Sequence, residues 1–313
     1  MSTRNESYLV GLIGDGITQS LTPPMHEAEA DRHGLRYLYR PVDLGVIGRP
    51  GTDVGDLLRA GRDLGFNAFN ITHPCKQLVL EHLDEIDPRA EAIQAVNTVL
   101  IREGKFIGYN TDCSGFTTGF GHGLPGVTVG SVVQFGSGGA GSAVAEALLS
   151  LGAQRLCLVD VDVARAAERA SELAARYPDA VVEAVTAEQA TEHIATADGV
   201  VNATPVGMHH HPGMPFDVGL LRPEHWVADV IYLPLETPLV RAARALGCSV
   251  LDGGHMAVGQ AVDAFALITG VAPDSARMRR HFLELTGQGG DAVTVPASAP
   301  EGERSHENQE GSL

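Results

Sequence analysis

One lysine of this chain stands out as a candidate for proton chemistry. Of the 22 Lys and Arg residues, only Lys76 and Lys105 are lysines. A lysine ammonium can give up a proton, whereas an arginine guanidinium stays charged. Oxidation of an alcohol by hydride transfer needs a group that takes up the hydroxyl proton. Lys76 can do this with Asp112 orienting it, whereas Lys105 lies in a Glu103-Gly104-Lys105 turn and needs no such explanation.

Lys76 belongs to one of three polar clusters that interrupt apolar segments. The clusters lie at residues 20–23, at residues 70–76, and at Asn97 together with Asn110-Thr111-Asp112. Their hydroxyls, amides, one cation and one carboxylate suit a pocket for a small polyhydroxylated acid. Ser, Thr, Asn and Asp also cap helices and form turns, so each cluster alone has a purely structural alternative.

A glycine-rich turn between a predicted strand and a predicted helix indicates a dinucleotide site. Strand 131–135 leads into Gly136, Ser137, Gly138, Gly139, Ala140 and Gly141. Such glycines let the backbone approach a pyrophosphate, and the helix N-terminus favours its charge. An ordinary tight turn is the alternative. However, Asp160 ends the next predicted strand, 160 − 141 = 19 residues past Gly141, where an acid commonly holds the ribose hydroxyls.

Asp160 also bears on the choice of cofactor. A carboxylate accepts hydrogen bonds from the ribose hydroxyls of NAD but repels the 2′-phosphate of NADP. Asp162 adds a second negative charge, so the sequence predicts NAD. Arg165 is the counter-evidence, because a guanidinium there could pair with a phosphate, stack on the adenine, or simply be solvated.

Composition excludes several classes of protein. The 313 residues include 39 acids against 22 bases, a formal net charge of −17. This charge argues against binding to nucleic acid or to an anionic membrane. Four widely spaced cysteines without a CxxC pair, and a short N-terminal apolar run, favour a reducing cytoplasm. Adjacent His209, His210 and His211 in a loop do not predict a metal site, since one ion needs defined ligand geometry.

Two successive alternations of strands and helices predict an α/β protein. Strands are expected at 8–13, 35–42, 66–71, 95–101, 105–109, 131–135, 155–160, 180–185, 199–202, 226–230 and 249–251. Helices are expected at 23–33, 53–64, 75–82, 114–122, 140–151, 163–176, 256–269 and 274–285. The turn-rich stretch 121–126 is a candidate domain boundary. Residues 286–313 lack periodicity and carry five acids and one arginine, which predicts a disordered tail.

Taken together and in order, the motifs resemble those of the shikimate dehydrogenase family, most closely its quinate/shikimate dehydrogenase branch. The resemblance covers about residues 8–285. Its motifs are Ser20-x-Thr22-Pro23, Asn70-Ile71-Thr72-His73-Pro74-x-Lys76, Ala95-Val96-Asn97-Thr98, Asn110-Thr111-Asp112, the loop 136–141, Asn202-Ala203-Thr204-Pro205 and Gln260-Ala261-Val262-Asp263-Ala264-Phe265.

The resemblance implies a substrate domain at 1–122, completed by helices within 255–285, and a Rossmann-type doubly wound nucleotide domain at 123–254, with the active site between them. It implies that Ser20, Thr22 and Tyr232 hold the substrate carboxylate. It implies that the ring hydroxyls are bound by Thr72, Lys76, Asn97, Asp112 and Gln260. Lys76 and Asp112 would form the proton-transfer pair. The nicotinamide side would be lined by Thr204, Pro205, Val230, Gly253 and Met256.

Four departures from the common family pattern qualify these roles. Residues 160–162 read Asp-Val-Asp where NADP-using biosynthetic members typically carry Asn-Arg-Thr, which supports NAD. The Ser20-x-Thr22 form, in place of Ser-x-Ser, resembles members that accept quinate. Ser137 replaces a common alanine, which matters little if the backbone does the binding. His255 puts a bulky side chain near the expected nicotinamide site.

The sequence therefore predicts NAD-dependent, reversible oxidation of quinate to 3-dehydroquinate and of shikimate to 3-dehydroshikimate, by a monomer or homodimer. One alternative is an NADP-dependent biosynthetic shikimate dehydrogenase, against which Asp160 argues. The other is a non-catalytic dinucleotide sensor of the same fold. A sensor is expected to have lost Lys76 or Asp112, and both are present.

Overall fold

The computed structural model describes residues 7–287. The first part of the chain contains, in order, β1 Ser7–Gly14, α1 Thr22–Arg32, β2 Arg36–Asp43, α2 Leu44–Ile47, α3 Val54–Asp63, β3 Ala68–Ile71, α4 Cys75–Leu78, β4 Glu85–Ile86, α5 Pro88–Ile93, β5 Thr98–Arg102, β6 Lys105–Tyr109 and α6 Thr111–Gly123. Single 3-10 turns lie at Gly51–Asp53 and Leu80–His82. Of the tail predicted to be disordered, 288–313 lies outside the described residues.

The first six strands form one mixed sheet in the order β2-β1-β3-β5-β6-β4. Strand β1 is parallel to β2 and β3, whereas β5 is antiparallel to β3 and β6. The hairpin predicted around Glu103-Gly104 is confirmed, with φ of 52° at Glu103 and 80° at Gly104. Two successive positive φ angles suit the twist of a hairpin. The hairpin brings Asn97, just before β5, against the end of β6, where its backbone N–H donates to the Tyr109 carbonyl at 3.0 Å.

The second part of the chain forms a fully parallel sheet. Its elements are β7 Ser131–Phe135, α7 Gly139–Ser150, β8 Arg155–Val159, α8 Val163–Arg176, β9 Val181–Ala184, α9 Ala187–Thr196, β10 Gly199–Asn202, β11 Trp226–Asp229, α10 Pro238–Ala245 and β12 Ser249–Leu251. The strand order is β12-β11-β10-β7-β8-β9, and every pairing is parallel. Separate apolar clusters cover its two faces, which confirms the doubly wound fold. The connections leave β7 in opposite directions, so a crevice forms at the carboxyl ends of the strands next to β7.

The last two helices return to the first sheet. Helix α11, Gly253–Thr269, crosses α6 so closely that a Cβ on Gly115 would lie 2.4 Å from the backbone nitrogen of Gln260. Helix α12, Ser275–Leu285, docks on α1 through an ion pair of 2.6 Å between Arg277 and the buried Glu29. Asp274, the first residue of the predicted helix 274–285, caps α12 and accepts from the Arg277 N–H at 2.9 Å.

Helices α9 and α10 are not predicted from the apolar pattern of the sequence, although both carry the residues typical of a helix start. Thr186 and Gln189 form a capping box at the start of α9. Thr237 caps α10, and Pro238 occupies its first turn. Between residues 7 and 287, no helix combines the length and apolar character that crossing a membrane requires.

Candidate active site

Lys76 and Asp112 form an ion pair in the interior of the molecule. Lys76 Nζ donates to Asp112 Oδ2 at 2.5 Å, and the two side chains are 15% and 7% exposed. Lys76 lies in α4, directly after the turn that follows β3, and Asp112 lies in the first turn of α6. The structure thus brings together the two side chains that the sequence predicts to transfer a proton.

The polar residues around Asp112 are mostly engaged with one another. Asn110 caps α6 and accepts from the N–H groups of Asp112 and Cys113 at 3.0 and 3.2 Å. The buried amide of Asn97 donates to the Thr111 hydroxyl at 3.0 Å and accepts from the Thr111 N–H at 2.8 Å. The structural alternative is therefore correct for Asn110. Asn97, predicted to bind a ring hydroxyl, also fixes the start of α6 to the hairpin.

A second hydrogen-bonded chain of side chains, which the sequence motifs do not predict, supports this arrangement from the first sheet. The Tyr39 hydroxyl donates to Asn70 Oδ1 at 2.5 Å, and Asn70 Nδ2 donates to the Thr98 hydroxyl at 2.9 Å. Asn70 and Tyr39 are both buried. A polar side chain in an all-buried strand is the sequence signal for such a network, because a buried polar group needs partners.

The three residues predicted to hold a carboxylate lie together at the start of α1. The Ser20 hydroxyl accepts from the Thr22 N–H at 3.3 Å, and Thr22 begins the helix. Burial raises the pKa of Tyr232, and a hydrogen bond with Ser20 partly offsets this rise. Two hydroxyls, a phenol and a helix N-terminus make a suitable environment for an anionic group.

Thr72 and Gln260, both predicted to bind ring hydroxyls, each lie in close contact with a glycine. Thr72 follows β3, and its methyl packs against Gly14, where an added Cβ would lie 2.3 Å away. Gln260 is half-buried where α11 crosses α6. Its backbone contacts Gly115, which lies about one helical turn after Asp112 on α6. The side-chain amide of Gln260 donates to the Ala257 carbonyl at 3.0 Å.

The glycine loop has the geometry of a phosphate cradle. Gly136 has φ of 97°, and a Cβ there would lie 2.6 Å from the Ala203 carbonyl oxygen. A Cβ on Gly141 would lie 2.2 Å from the Gly136 oxygen, so both positions require glycine. A Cβ added at Gly138, by contrast, would have no other part of the described protein within 4 Å. This open side of the loop leaves room for a ligand. Ala140 lies in the first turn of α7.

Gln134 is a residue of this loop that the sequence analysis does not identify. It is fully buried in β7, and its Nε2 donates to the carbonyls of Gly136 and Gly141, both at 2.8 Å. It thereby holds the loop in its tight conformation. In the sequence, the amide of Gln134 between Val133 and Phe135 is the feature that could have identified this role, because a polar side chain in a buried strand needs hydrogen-bond partners.

Asp160 lies beside the loop, and its carboxylate is heavily engaged. Its Oδ2 accepts from the Ser137 N–H and hydroxyl at 2.7 and 2.8 Å. Its Oδ1 accepts from Arg165 at 2.6 Å and from the Asp162 N–H at 2.9 Å. Burial alone would raise the pKa of Asp160, but these bonds hold it below the ordinary value. Ser137 therefore acts through its side chain as well as its backbone, contrary to the expectation that its hydroxyl matters little.

Of the residues predicted for the nicotinamide side, Thr204 and Pro205 follow β10, Val230 follows β11, and Gly253 and Met256 lie in the first turn of α11. Thr204 bonds to Asn202 Oδ1 through its hydroxyl at 2.6 Å, and Pro205 follows it in the same exposed loop. A Cβ on Gly253 would lie 2.6 Å from the Val230 carbonyl carbon, so α11 starts in contact with the loop after β11. Met256 is only 7% exposed and packs in the core of the second sheet.

His255 packs between α11 and α6. A Cβ added at Gly119 would lie 3.0 Å from the His255 Cβ, and a Cβ added at Gly123 would lie 3.2 Å from the His255 Nε2. The His255 Nδ1 lies 3.3 Å from Asp252. The structure therefore gives His255 a helix-packing position, where glycines on α6 make room for the ring.

The two parts of the site meet across a cleft. A Cβ on Gly139, in the glycine loop, would lie 3.4 Å from Lys76 Cδ. The glycine loop of the second sheet thus contacts Lys76, the side chain of the first part of the chain that is predicted to accept a proton. Cys75 and Cys113, which flank the ion pair in sequence, have their thiol pKa raised to about 11 by burial. Thiols with a raised pKa remain protonated at neutral pH, so neither cysteine is suited to act as a thiolate nucleophile.

Known proteins resemble this chain over most of its length. A family profile described as the shikimate dehydrogenase substrate binding domain matches residues 12–99. A shikimate dehydrogenase (NADP(+)) from Pseudarthrobacter chlorophenolicus is 61% identical over 285 residues, which cover 91% of this chain and 97% of the relative. A quinate/shikimate dehydrogenase (NAD(+)) from Corynebacterium glutamicum is 51% identical over 282 residues, which cover 90% and 100%.

A solved structure extends the similarity to the fold. The structure of quinate dehydrogenase from Corynebacterium glutamicum in complex with NAD matches with a TM-score of 0.83 at 49% identity, covering 90% of this chain and 100% of that one. Identity at this level over nearly the whole length of each relative confirms the resemblance found in the motifs. The chain belongs to the shikimate dehydrogenase family.

Proposed function

We propose that this protein is an NAD-dependent quinate/shikimate dehydrogenase, which reversibly oxidises quinate to 3-dehydroquinate and shikimate to 3-dehydroshikimate. The observation that carries the proposal is the Lys76–Asp112 pair, which lies against Gly139 of the glycine loop. A proton acceptor and a dinucleotide loop on opposite sides of one cleft are what oxidation of a ring CH–OH requires.

Lys76 takes up the proton of the substrate hydroxyl. The Lys76 ammonium of the ion pair must first lose a proton to solvent. As the C–H bond of the ring carbon breaks, the resulting neutral amine accepts the hydroxyl proton and becomes an ammonium again. Asp112 holds Nζ in place at 2.5 Å and stabilises the charge that forms there. In the reverse direction the ammonium returns the proton to the new hydroxyl. NAD, when bound, supplies the acceptor for the hydride.

The remaining polar residues orient the ring. Ser20, Thr22 and Tyr232 bind the carboxylate, where the start of α1 adds its positive end. The ring hydroxyls are bound by Thr72, Lys76, Asn97, Asp112 and Gln260. These assignments place the anionic end of the substrate at α1 and its reacting carbon at Lys76.

The residues present fit a dinucleotide. Gly136 and Gly141 keep the loop tight and Gly138 is open on its outer side, as a backbone cradle for a pyrophosphate requires. The loop residues Gly136, Ser137, Gly138, Gly139 and Ala140 would bind the phosphates. Thr204, Pro205, Val230, Gly253 and Met256 would form the nicotinamide side. We further propose that residues 123–254 form the nucleotide domain, and residues 1–122 with helices in 255–285 the substrate domain, in a cytoplasmic monomer or homodimer.

The preference for NAD rests on Asp160. Its ionised carboxylate would repel a 2′-phosphate and accept from ribose hydroxyls. A carboxylate has about four acceptor positions, and all four are used by Ser137, Asp162 and Arg165. Ribose binding therefore needs Arg165 to turn away from Asp160; the Arg165 side chain is 43% exposed and also pairs with Asp162, at 3.5 Å.

The second candidate is an NADP-dependent shikimate dehydrogenase. It is favoured by the name of the relative from Pseudarthrobacter chlorophenolicus, at 61% identity, and by Arg165, whose guanidinium could move from Asp160 to a 2′-phosphate. A kinetic matrix of quinate or shikimate with NAD or NADP separates the two candidates. A higher kcat/KM with NADP than with NAD would refute the proposed preference. Arg165→Ala should then lower kcat/KM for NADP selectively.

Lys76→Met tests the proton acceptor itself. We expect kcat to fall by at least about 100-fold with little change in KM, because general acid–base catalysis commonly contributes this much. Lys105→Met is the matched control, because Lys105 is an exposed lysine at the start of β6 that pairs with Glu85 of β4. Turnover by Lys76→Met equal to that of Lys105→Met would refute the assigned role.

A further inference from the structure

A second cluster of chemically active side chains lies on β8, β9 and α9, and none of its members belongs to the candidate active site. Cys157 in β8 and Glu183 in β9 are register partners on neighbouring parallel strands. Register partners point to the same face of a sheet. Helix α9 covers that face, and His193 on α9 contacts Cys157, with Nδ1 3.1 Å from Sγ.

The spacing of the three donor atoms matches one coordination sphere. Sγ of Cys157 lies 3.5 Å from Oε1 of Glu183, and Nδ1 of His193 lies 3.8 Å from the same oxygen. Tetrahedral zinc, with bonds of about 2.3 Å to sulfur and about 2.0–2.1 Å to nitrogen and oxygen, separates its ligand atoms by about 3.3–3.6 Å. The observed 3.1, 3.5 and 3.8 Å need shifts of only a few tenths of an ångström to meet this geometry.

We propose that Cys157, Glu183 and His193 form a binding site for a divalent transition-metal ion of the zinc class, separate from the active site. Sulfur, imidazole and carboxylate donors together select borderline-soft ions over magnesium or calcium. The site would supply three protein ligands and leave the fourth position to water.

Burial and charge agree with this assignment. Cys157 is 3% exposed, whereas the side chains of His193 and Glu183 are 25% and 42% exposed. The sulfur thus forms the floor of a site whose mouth is open to an ion from solvent. A thiolate and a carboxylate supply two negative charges for a divalent cation. Burial and the neighbouring Glu183 raise the pKa of the Cys157 thiol to about 12, and the exposed Arg155 lowers it only in part, so a metal ion has to displace the thiol proton when it binds.

The competing explanation is a hydrogen-bonded trio that holds no ion. In that case the Cys157 thiol simply donates to His193 or Glu183, and α9 is fastened to the sheet by neutral contacts. The two explanations differ in one chemical respect: a bound ion replaces the thiol proton, because the metal ligand is the thiolate.

Metal titration of the reduced, full-length chain without a histidine tag decides between them. We expect one Zn²⁺ per chain by calorimetry with release of a proton, and a thiolate-to-metal charge-transfer band on adding Co²⁺. Cys157→Ser and His193→Gln should each weaken Zn²⁺ binding at least tenfold and abolish the band.

Two controls keep the test specific. Cys248→Ser removes another buried thiol of the same apolar cluster, one whose Sγ faces the Arg222 carbonyl. A chain with His209, His210 and His211 all changed to Ala removes the exposed histidine loop. Both should bind Zn²⁺ as the unmodified chain does. Absence of the cobalt band, or equal Zn²⁺ binding by a folded Cys157→Ser chain, would overturn the proposal.

Discussion

Gly115→Ala tests how the crossing of α6 and α11 positions the candidate site. A Cβ at residue 115 would lie 2.4 Å from the Gln260 nitrogen and 3.0 Å from the Gly259 carbonyl carbon. Both neighbours are backbone atoms, which cannot turn aside as a side chain can. Ordinary contact begins at about 3.4 Å, so the helices must separate by about 3.4 − 2.4 = 1.0 Å.

The size of the effect follows from that displacement. Overpacking of this kind costs about 1–3 kcal/mol of the free energy of unfolding, partly offset by about 0.5–1 kcal/mol from the better helix propensity of alanine. Asp112 lies on one of the two helices and Gln260 on the other. A misplacement of about 1 Å can cost up to about 100-fold in rate, so kcat/KM should fall by one to two orders of magnitude.

Two other glycines of α6 provide a graded control. At Gly119 a Cβ would lie 3.0 Å from His255 Cβ, and at Gly121 no atom lies within 4 Å. Gly119→Ala should therefore cost less than Gly115→Ala, and Gly121→Ala should be neutral or stabilising by up to about 1 kcal/mol.

The urea midpoint and the kinetics with quinate and shikimate measure these effects. Trp226, the only tryptophan, is a convenient probe, because Phe120 of α6 packs edge-on against it at 5.0 Å. A Gly115→Ala chain as stable and active as Gly121→Ala would refute the close crossing and its role in the site.

Two further substitutions test buried carboxylates. Burial raises the pKa of Asp229 to about 6 from 3.8; the protonated form stabilises the fold below 3.8, and this contribution is lost as pH rises through about 6. The side chain introduced by Asp229→Asn does not titrate. The free energy of unfolding of this variant minus that of the unmodified chain should therefore rise by about 2–3 kcal/mol between about pH 4 and pH 7.5. A free-energy difference that stays constant over this pH range would contradict the argument. Burial tends to raise the pKa of Glu29, but hydrogen bonds from Arg277 and the Asp274 N–H lower it below 4.5 overall. The contribution of ionised Glu29 to stability is present above pH 4.5 and is lost as pH falls through the folded-state pKa. Glu29→Gln should therefore lower Tm at neutral pH, and this decrease should become smaller in acid. The exposed Glu284→Gln is the control and should leave Tm unchanged.

Local patterns were enough to predict the repeating strands and helices and the order of the two sheets along the chain. The apolar strand before Gly136, the Asp274 cap and the Glu103-Gly104 turn are local signals, and the structure confirms each. Helices α9 and α10 were missed because their apolar faces are short, and only their caps identify them. The antiparallel pairing of β5 within the first sheet depends on non-local contacts, which no local pattern encodes.

The same distinction applies to the site. Lys76 and Asp112 could be predicted because the chain uses lysine so rarely and because their motifs match a family. Gln134 and the Ser137 hydroxyl were missed because their functions depend on atoms that folding brings close, such as the Gly141 carbonyl and Asp160. Cys157, Glu183 and His193 likewise come together only through strand register and helix packing, and their spacing in sequence matches no metal motif.

Helix α11 links the two halves of the candidate site. Its first residue, Gly253, contacts the loop after β11 on the proposed nicotinamide side, and its Gln260 lies two turns later at the crossing with α6, near Asp112. Because one rigid helix carries both contacts, a shift of its start relative to the second sheet must also move Gln260 relative to Asp112. Glycines at both contacts allow backbone to touch backbone, which leaves little freedom for the two ends to move independently. With the proposed roles of Gln260 and Gly253, the distance between the substrate hydroxyls and the nicotinamide would be set by the length of a helix rather than by flexible loops.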